Sequence, residues 1–341
     1  MQPTLLVPER ATPADLAACR QMIRTGSRSF YLASMLLPDR IRSGAYALYG
    51  FCRLSDDLVD VDGRGLAAIA HLQMRLDKVF AGAPADLAID RALADSVERF
   101  AIPRAPFDAL LEGLAWDAQA RQVETQSDLH AYAARVASAV GAMMAALMGA
   151  RDPHLVARAC DLGAAMQMTN IARDVGEDAR AGRLYLPRDW MRAAGLDPDA
   201  WLAAPRFCPE LAQVVQRLLT TADALYARAD AGIAGLGGAY RPAIRAARRL
   251  YAAIGDEVAR QGYDSVSRRA VTPAWRKAAL ALQAMAPQRG ADLTAPALPE
   301  TQFLVDALCA APSPRRPGDA RGAAWVLMLF ATLENRPRRL A

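Results

Sequence analysis

The sequence predicts an all-α protein, one packed helical unit over roughly residues 10–286, on three observations. Apolar residues recur at the three-to-four-residue spacing of a helix through this stretch, and alternating strand patterns are nearly absent. Gly- and Pro-bearing joints such as APFD, RDPH and LDPD separate the periodic segments. A chain of 341 residues that is 53% hydrophobic can bury a large core, as one big domain or two.

Taken in order, the first helix begins near Thr12–Pro13, with Thr12 as cap and Pro13 in the first turn, and stops at Gly26. SGAYALYGFCRLSDDLVDVDG follows, with Ser43 as its expected cap and Gly63 as its stop. Next come LAAIAHLQMRLDKVFAG, AIDRALADSVERF and PFDALLEGLAWDAQAR. SDLHAYAARVASAVGAMMAALMGA holds the longest apolar run, residues 136–150 between Arg135 and Arg151. That run is shorter than the roughly 20 residues a spanning helix needs, so it reads as a buried core helix rich in small residues. HLVARACDLGAAMQMTNIARDVGEDARAG, ELAQVVQRLLTTADALYARADAGIAGL, PAIRAARRLYAAIGDEVARQGY and TPAWRKAALALQAMA complete about ten helices. From 287 to 341 the text becomes a Pro/Arg-rich tail with one short apolar patch, AAWVLMLFATL at 323–333, between Arg321 and RPRR at 336–339. The patch reads either as a helix docked back on the body or, given its basic flanks, as a membrane-touching segment.

Composition narrows the function classes. Net charge is +5 with 41 Lys and Arg against 36 Asp and Glu, and no basic block interleaves with aromatics, so nucleic acid is not an expected partner. A mild basic excess suits an anionic small substrate or an anionic membrane surface. Cys19, Cys52, Cys160, Cys208 and Cys309 are scattered, which predicts free thiols in a reducing, cytoplasmic setting. With only His71, His130 and His154 in the chain, a His-based metal site or triad would consume nearly all of them.

Two acidic stretches carry the chemistry. SDDLVD places Asp56 and Asp60 four apart with Asp57 between them, and NIARDVGED places Asp174 and Asp178 four apart with Glu177 beside them. On a helix such pairs stand one turn apart on one face. Both follow apolar helical text, and carboxylates on a core-facing surface require a positive partner. Two facing pairs suit Mg²⁺ or Mn²⁺, which take one or two carboxylates and fill the remaining positions with water and phosphate oxygens. The alternative is a solvated acidic face salt-bridged to Arg53 and Arg173. Those same arginines can bind phosphate in a fixed fork. Asn170 stands one turn before Asp174, and RTGSRSF offers Ser27, Ser29 and Arg28 at a helix break.

In GSRSFYLASMLLP, YALYGFCRLSDDLVD and QMTNIARDVGEDARAGRLYLP, the chain resembles the squalene and phytoene synthases, the head-to-head trans-isoprenyl diphosphate synthases. The likeness extends through LLEGLAWDAQ, YAARVASAVG and YAAIGDEVARQGYDSVSRR, covering roughly residues 15–280. GRLYLP looks like the phytoene-type branch of bacterial carotenoid pathways. The squalene-type pattern has His where this chain has Gly26, which removes one diphosphate contact. The resemblance implies an isoprenoid-synthase helical bundle with a central apolar tunnel. Two molecules of geranylgeranyl diphosphate would condense there to prephytoene diphosphate and then phytoene, with two or three Mg²⁺ or Mn²⁺ ions and without NADPH.

By matching positions, the resemblance assigns metal binding to Asp56, Asp60, Asn170, Asp174 and Asp178. Catalysis falls to the four Asp with Arg53 and Arg173. Substrate binding falls to Ser27, Ser29, Phe30, Tyr49, Arg53, Gln167, Asn170, Arg173, Tyr251 and Arg268, with Asp57, Asp117 and Glu177 in support. The small-residue face of Val136, Ala137, Val140, Gly141, Ala164 and Ala165 would line the tunnel, ordinary close helix packing being the other reading. A C30 squalene-, dehydrosqualene- or hydroxysqualene-type synthase using farnesyl diphosphate, and a non-catalytic scaffold on the same fold, remain open. Expected partners are geranylgeranyl diphosphate, downstream carotenoid enzymes and a membrane touched peripherally.

Overall fold

The structure is a computed structural model and describes residues 11–59, 65–286 and 293–312. Asp60 and the apolar segment 323–333 therefore lie outside the described residues. Its helices are α1 (Pro13–Gly26), α2 (Arg28–Ser34), α3 (Asp39–Val59), α4 (Gly65–Phe80), α5 (Ala88–Phe100), α6 (Ala105–Ala118), α7 (Gln126–Ala133) and α8 (Ala139–Leu147). They continue with α9 (Pro153–Arg180), α10 (Arg188–Ala193), α11 (Pro198–Ala203), α12 (Pro209–Gly235), α13 (Arg241–Arg260), α14 (Ala274–Gln283) and α15 (Gln302–Ala310). No strand occurs among the described residues.

Local chemistry accounts for most boundaries. Thr12 caps α1 through a reciprocal box with Asp15, and Asp152 caps α9 by accepting from the N–H groups of His154 and Leu155. Ser43 is not a cap. The helix starts a turn earlier, after Pro38, and the Ser43 hydroxyl donates back to the Arg40 carbonyl at 3.0 Å. The segment expected as one helix over 127–150 is divided by a π turn, Ala134–Ser138. There the Ser138 hydroxyl donates to the Cys160 carbonyl of α9 at 2.7 Å.

Helix α9 is the axis of the molecule and packs against α7, α8, α12, α13, α15 and the π turn. Its first turns share a core with α3–α6 and α8, while its later turns share a second core with α7, α10, α12 and α13. Gly141 and Gly163 bring α8, the π turn and α9 to backbone contact. A Cβ on Gly141 would stand 2.3 Å from the Ala159 carbonyl oxygen, and one on Gly163 would stand 2.4 Å from that of Ala137.

Part of the expected tail is docked. Arg158, fully buried, ion-pairs Asp161 at 2.7 Å and donates to the carbonyls of Leu293, Ala295 and Pro296. Arg228 joins the same Asp161 and Pro296. Beyond this strap, α15 packs on α6, α8 and α9 through Leu304, Val305 and Leu308. The Pro-rich text of 287–300 hid this, because a strap held by side chains donating to its carbonyls needs no periodicity of its own.

Candidate active site

The C-terminal ends of α3 and α9 carry the two acidic stretches. On α3, Arg53 grips Asp57 through Nε at 3.1 Å and Nη2 at 2.7 Å, and stands 3.8 Å from Asp56. On α9, Arg173 forks onto its neighbour Asp174, with Nε–Oδ1 at 2.7 Å. A second arginine arrives from the loop after α13. Gly176 admits that loop: its N–H donates to the Ser265 carbonyl at 2.9 Å, and a Cβ there would stand 2.5 Å from the Val266 oxygen. The loop thereby sets Arg269 onto Asp174 at 2.8 Å and Glu177 at 3.2 Å. Arg268, the residue assigned from the resemblance, donates instead to the Gln261 carbonyl at 3.2 Å. The doublet RR gave no sign of which arginine turns inward.

Asp117 enters from α6. It accepts from the hydroxyls of Tyr185 at 2.7 Å and Tyr132 at 3.0 Å, whose rings stack with centroids 4.9 Å apart. Neither tyrosine was singled out by the sequence. Burial pushes the Asp117 carboxyl up to about 6 against those hydrogen bonds, with the Asp56 charge adding to the rise. Asp178 is pushed up to about 7, first by burial and then by the charge of Asp174. For Asp174 burial acts upward too, but the hydrogen bonds of Arg173 and Arg269 outweigh it and hold the carboxyl below its ordinary value. Asp56, Asp117, Asp174, Glu177 and Asp178 therefore share one electrostatic neighbourhood, with Arg183 as a cation inside it.

Beside this neighbourhood lies an apolar cavity of about 310 Å³. Its wall on α9 runs from Leu155 to Asn170, on the order of 22 Å at 1.5 Å per residue. Of the predicted substrate residues, Phe30, Tyr49, Val136, Ala137, Val140, Gly141, Gln167, Asn170 and Tyr251 line it. Ala164 and Ala165 do not; both are fully buried in the second core. The wall of α9 is the helical face through Ala159, Leu162, Gly163, Met166, Gln167 and Asn170, and 164 and 165 point away from it.

At the Asn170 end, Ser27 caps α2 by accepting from the Phe30 N–H at 3.3 Å, with Ser29 half-buried in the same turn. Phe30 packs on Tyr251 with ring centroids 4.8 Å apart. Gly26 is small for a reason visible here: a Cβ would stand 2.3 Å from the Tyr49 hydroxyl oxygen. The same end gathers cations. Lys277 of α14 is held below its ordinary value by burial and by the charges of Arg28 and Arg173. Neither Arg28 nor Lys277 has an ion-pair partner among the described residues.

As these side chains stand, no three acidic, His or Cys groups among the described residues converge on a single point. Asp57 and Asp174 are turned onto arginines. The donor set nonetheless fits a hard divalent cation: all are oxygen ligands, and Asp178, half-buried among carboxylates and without an ion pair among the described residues, is stabilised as an anion by added positive charge. The five cysteines are free, and none of the three histidines lines the cavity.

The helical bundle is of the isoprenoid-synthase fold. It superposes on a dehydrosqualene synthase crystal structure with a TM-score of 0.73 at 33% identity, over 80% of this chain and 95% of that one. The chain belongs to the squalene/phytoene synthase family, whose model matches residues 23–276. It is 50% identical to a phytoene synthase of Cereibacter sphaeroides over 96% of both chains. It is 55% identical to one of Rhodobacter capsulatus over 77% of this chain and 79% of that one.

Proposed function

We propose that this chain is a phytoene synthase, a prenyltransferase that joins two geranylgeranyl diphosphates head to head and releases diphosphate. The observation that carries this reading is an apolar cavity, about 22 Å along α9, whose Asn170 end lies beside a cluster of carboxylates and cations. The identity to phytoene synthases supports the branch.

Asp56, Asp174 and Asp178, with Asp60, would hold Mg²⁺ or Mn²⁺ beside Asn170. The bound ions supply neutralisation of the leaving diphosphate. Arg53, Arg173, Arg28 and Lys277 bind its oxygens, with Ser27, Ser29, Tyr49 and Tyr251 adding hydroxyl donors. Arg269, which pairs with Asp174 at 2.8 Å, would be available to phosphate oxygen when Asp174 holds the ion. Phe30, Val136, Ala137, Val140, Gly141 and Gln167 hold the two prenyl chains, and the apolar wall keeps water from the allylic cation. None of the three histidines lines the cavity, and the released diphosphate, held at the same end, is the base that the reading assigns to the proton loss. No step requires NADPH. No described helix is long and apolar enough to cross a membrane, and a cytoplasmic enzyme in peripheral contact with membrane accords with lipophilic substrate and product.

The dehydrosqualene synthase likeness gives a second reading, a C30 synthase acting on farnesyl diphosphate. A product assay separates them. Purified protein with Mg²⁺ or Mn²⁺ receives the C20 or the C15 diphosphate, with and without NADPH, and the extracted hydrocarbons are identified. Phytoene from the C20 substrate, dependent on metal and indifferent to NADPH, is expected. A C30 product alone overturns the substrate assignment, and no turnover of either in detergent favours a scaffold.

A further inference from the structure

The cavity has a floor, and one of the residues that make it is charged. At the end farthest from Asn170, the wall on α9 stops with Leu155 and Arg158, in the first two turns of the helix. Helix α12 runs antiparallel beside them. A Cβ on Gly232 would stand 2.3 Å from the Arg158 Cβ, and one on Gly235 would stand 2.6 Å from the Leu155 Cδ2. The two glycines let α12 lie directly on this end of α9, with the Arg158 stem against Gly232. Leu155 is backed in turn by Leu293, whose Cδ2 would lie 3.7 Å from the same Gly235 Cβ.

Arginine is an unusual end to an apolar cavity, and its partners explain how it holds. Its side chain is fully buried and ion-paired with Asp161 at 2.7 Å. Its remaining donors go to the carbonyls of Leu293 at 3.3 Å, Ala295 at 2.7 Å and Pro296 at 3.2 Å. An aliphatic side chain in this place would yield to extra methylenes by changing rotamer. A guanidinium gripped by a carboxylate and by backbone carbonyls does not yield, since moving it leaves a buried charge and buried acceptors unpaired. The strap that grips it is itself fixed. Just beyond it Glu300 accepts from the Ser127 hydroxyl at 2.6 Å, Thr301 is fully buried, and α15 packs on α6, α8 and α9. Strap and helix both lie past residue 276, the last that the family model matches.

We infer that the 293–296 strap, acting through Arg158 and Leu155, is the stop that fixes the longest prenyl chain the cavity accepts. The inference deepens the proposed function and rests on it for the identity of the chain, while the stop rests on the geometry of the floor. A diphosphate held at the Asn170 end leaves its prenyl tail to run along α9, and Arg158 and Leu155 stand where that tail ends. Leu293 is not among the residues that line the cavity and acts through Leu155, as a positioning residue.

The test is the chain-length profile of binding. Prenyl thiolodiphosphates of the C15, C20 and C25 lengths, in which sulfur replaces the bridging oxygen and slows ionisation, are titrated with Mg²⁺ by calorimetry. The proteins are the full-length wild type, Arg158→Met and the double variant L155A/L293A. The wild type binds the C25 chain at least about tenfold more weakly than the C20 chain, because a further isoprene unit has no room. Each variant raises the ratio of C25 to C20 affinity by at least about tenfold. Asp161 keeps Arg228 at 2.9 Å when Arg158 is replaced. Leu293→Ala alone, the mildest change, raises the ratio in the same direction and carries the test if the others do not fold. A wild type that takes C25 as well as C20 overturns the inference. So do variants that weaken all three lengths alike, which leaves Arg158 and the strap a role in stability only. The product assay reads the proposed function separately. A length limit that moves in the variants of a protein that makes no phytoene removes the synthase and leaves the stop; phytoene made by a protein whose length profile does not move does the reverse.

Discussion

Helix α9 carries two clusters of the same residue types, and they behave in opposite ways. Near its start, Arg158 and Asp161 are fully buried and paired, Asp161 also accepts from Arg228, and Arg158 spends its remaining donors on backbone carbonyls of the 293–296 strap. Near its end, Arg173, Asp174, Glu177 and Asp178 meet more carboxylate than the described arginines neutralise, and Asp178 carries a carboxyl raised to about 7. The first cluster is closed and therefore structural. The second stands beside the cavity, whose wall ends at Asn170, Tyr49 and Tyr251, and an anionic cluster with uncommitted cations nearby is what the proposed metal and diphosphate would complete. Charge alone does not mark a site; charge left unbalanced does.

Substitution at the two ends breaks this comparison most directly. Asp178→Asn is expected to lower kcat by about a thousandfold, the scale of losing one preorganised electrostatic contact to a transition state. Its melting temperature without metal is unchanged or higher, because a disfavoured anion is removed; differential scanning calorimetry beside the product assay checks both. At the other end Asp161→Asn leaves Arg158 buried without its anion, a cost of about 3–5 kcal/mol. Urea unfolding reads that loss, with the kcat of the protein that remains folded close to normal. Between the clusters, Gly163→Ala drives a Cβ against the Ala137 carbonyl and costs about 1–3 kcal/mol. It also narrows the cavity, so KM for the C20 substrate rises more than for the C15 one in steady-state assays.

The smallest effect is in pH. Asp117 and Asp178 stand at about 6 and about 7 in the folded chain against an ordinary 3.8, so between these values the folded state holds more protons than the unfolded one. Their contribution to the stability of the metal-free protein is fullest below pH 4 and declines as pH rises toward 7. Asp174, held low by its arginines, acts in the other direction and only in more acid solution. Melting temperatures across pH 5–8 should fall by a few degrees in the metal-free wild type, and by less in Asp178→Asn.

Much of this was legible in the sequence, because helices and acidic pairs are both matters of spacing. The period of three to four residues located the long helices, and the acidic stretches at Asp56 and at Asp174–Asp178 fall at the ends of α3 and α9, in one electrostatic neighbourhood with Asp117, while Asp60 lies outside the described residues. What stayed hidden depends on tertiary approach. Tyr132 and Tyr185 look like ordinary core aromatics until they close on Asp117 from elements 53 residues apart (185 − 132). Arg269 could be told from Arg268 only by the loop that Gly176 admits. Ala164 and Ala165 were assigned to the tunnel on size, but the rotational phase of α9 decides which small residues see it, and Gly163 takes that place. The short helices α10, α11 and α15 span too few turns for a period to show.

The central claim is that the α9 end is completed by a divalent cation with diphosphate. It is tested most directly by titrating Mg²⁺ and inorganic diphosphate into the full-length protein at pH 7, by calorimetry in buffers of different ionisation heat. The account predicts that binding releases, beyond the protons the diphosphate itself gives up to Mg²⁺, on the order of half a proton, as the Asp178 carboxyl near pKa 7 is driven to its anion. It further predicts that Asp178→Asn lowers the release by that share, leaving only the protons the diphosphate itself gives up, and weakens binding, while Asp161→Asn, assayed while folded, changes neither. Equal binding and equal proton release in wild type and Asp178→Asn would contradict it.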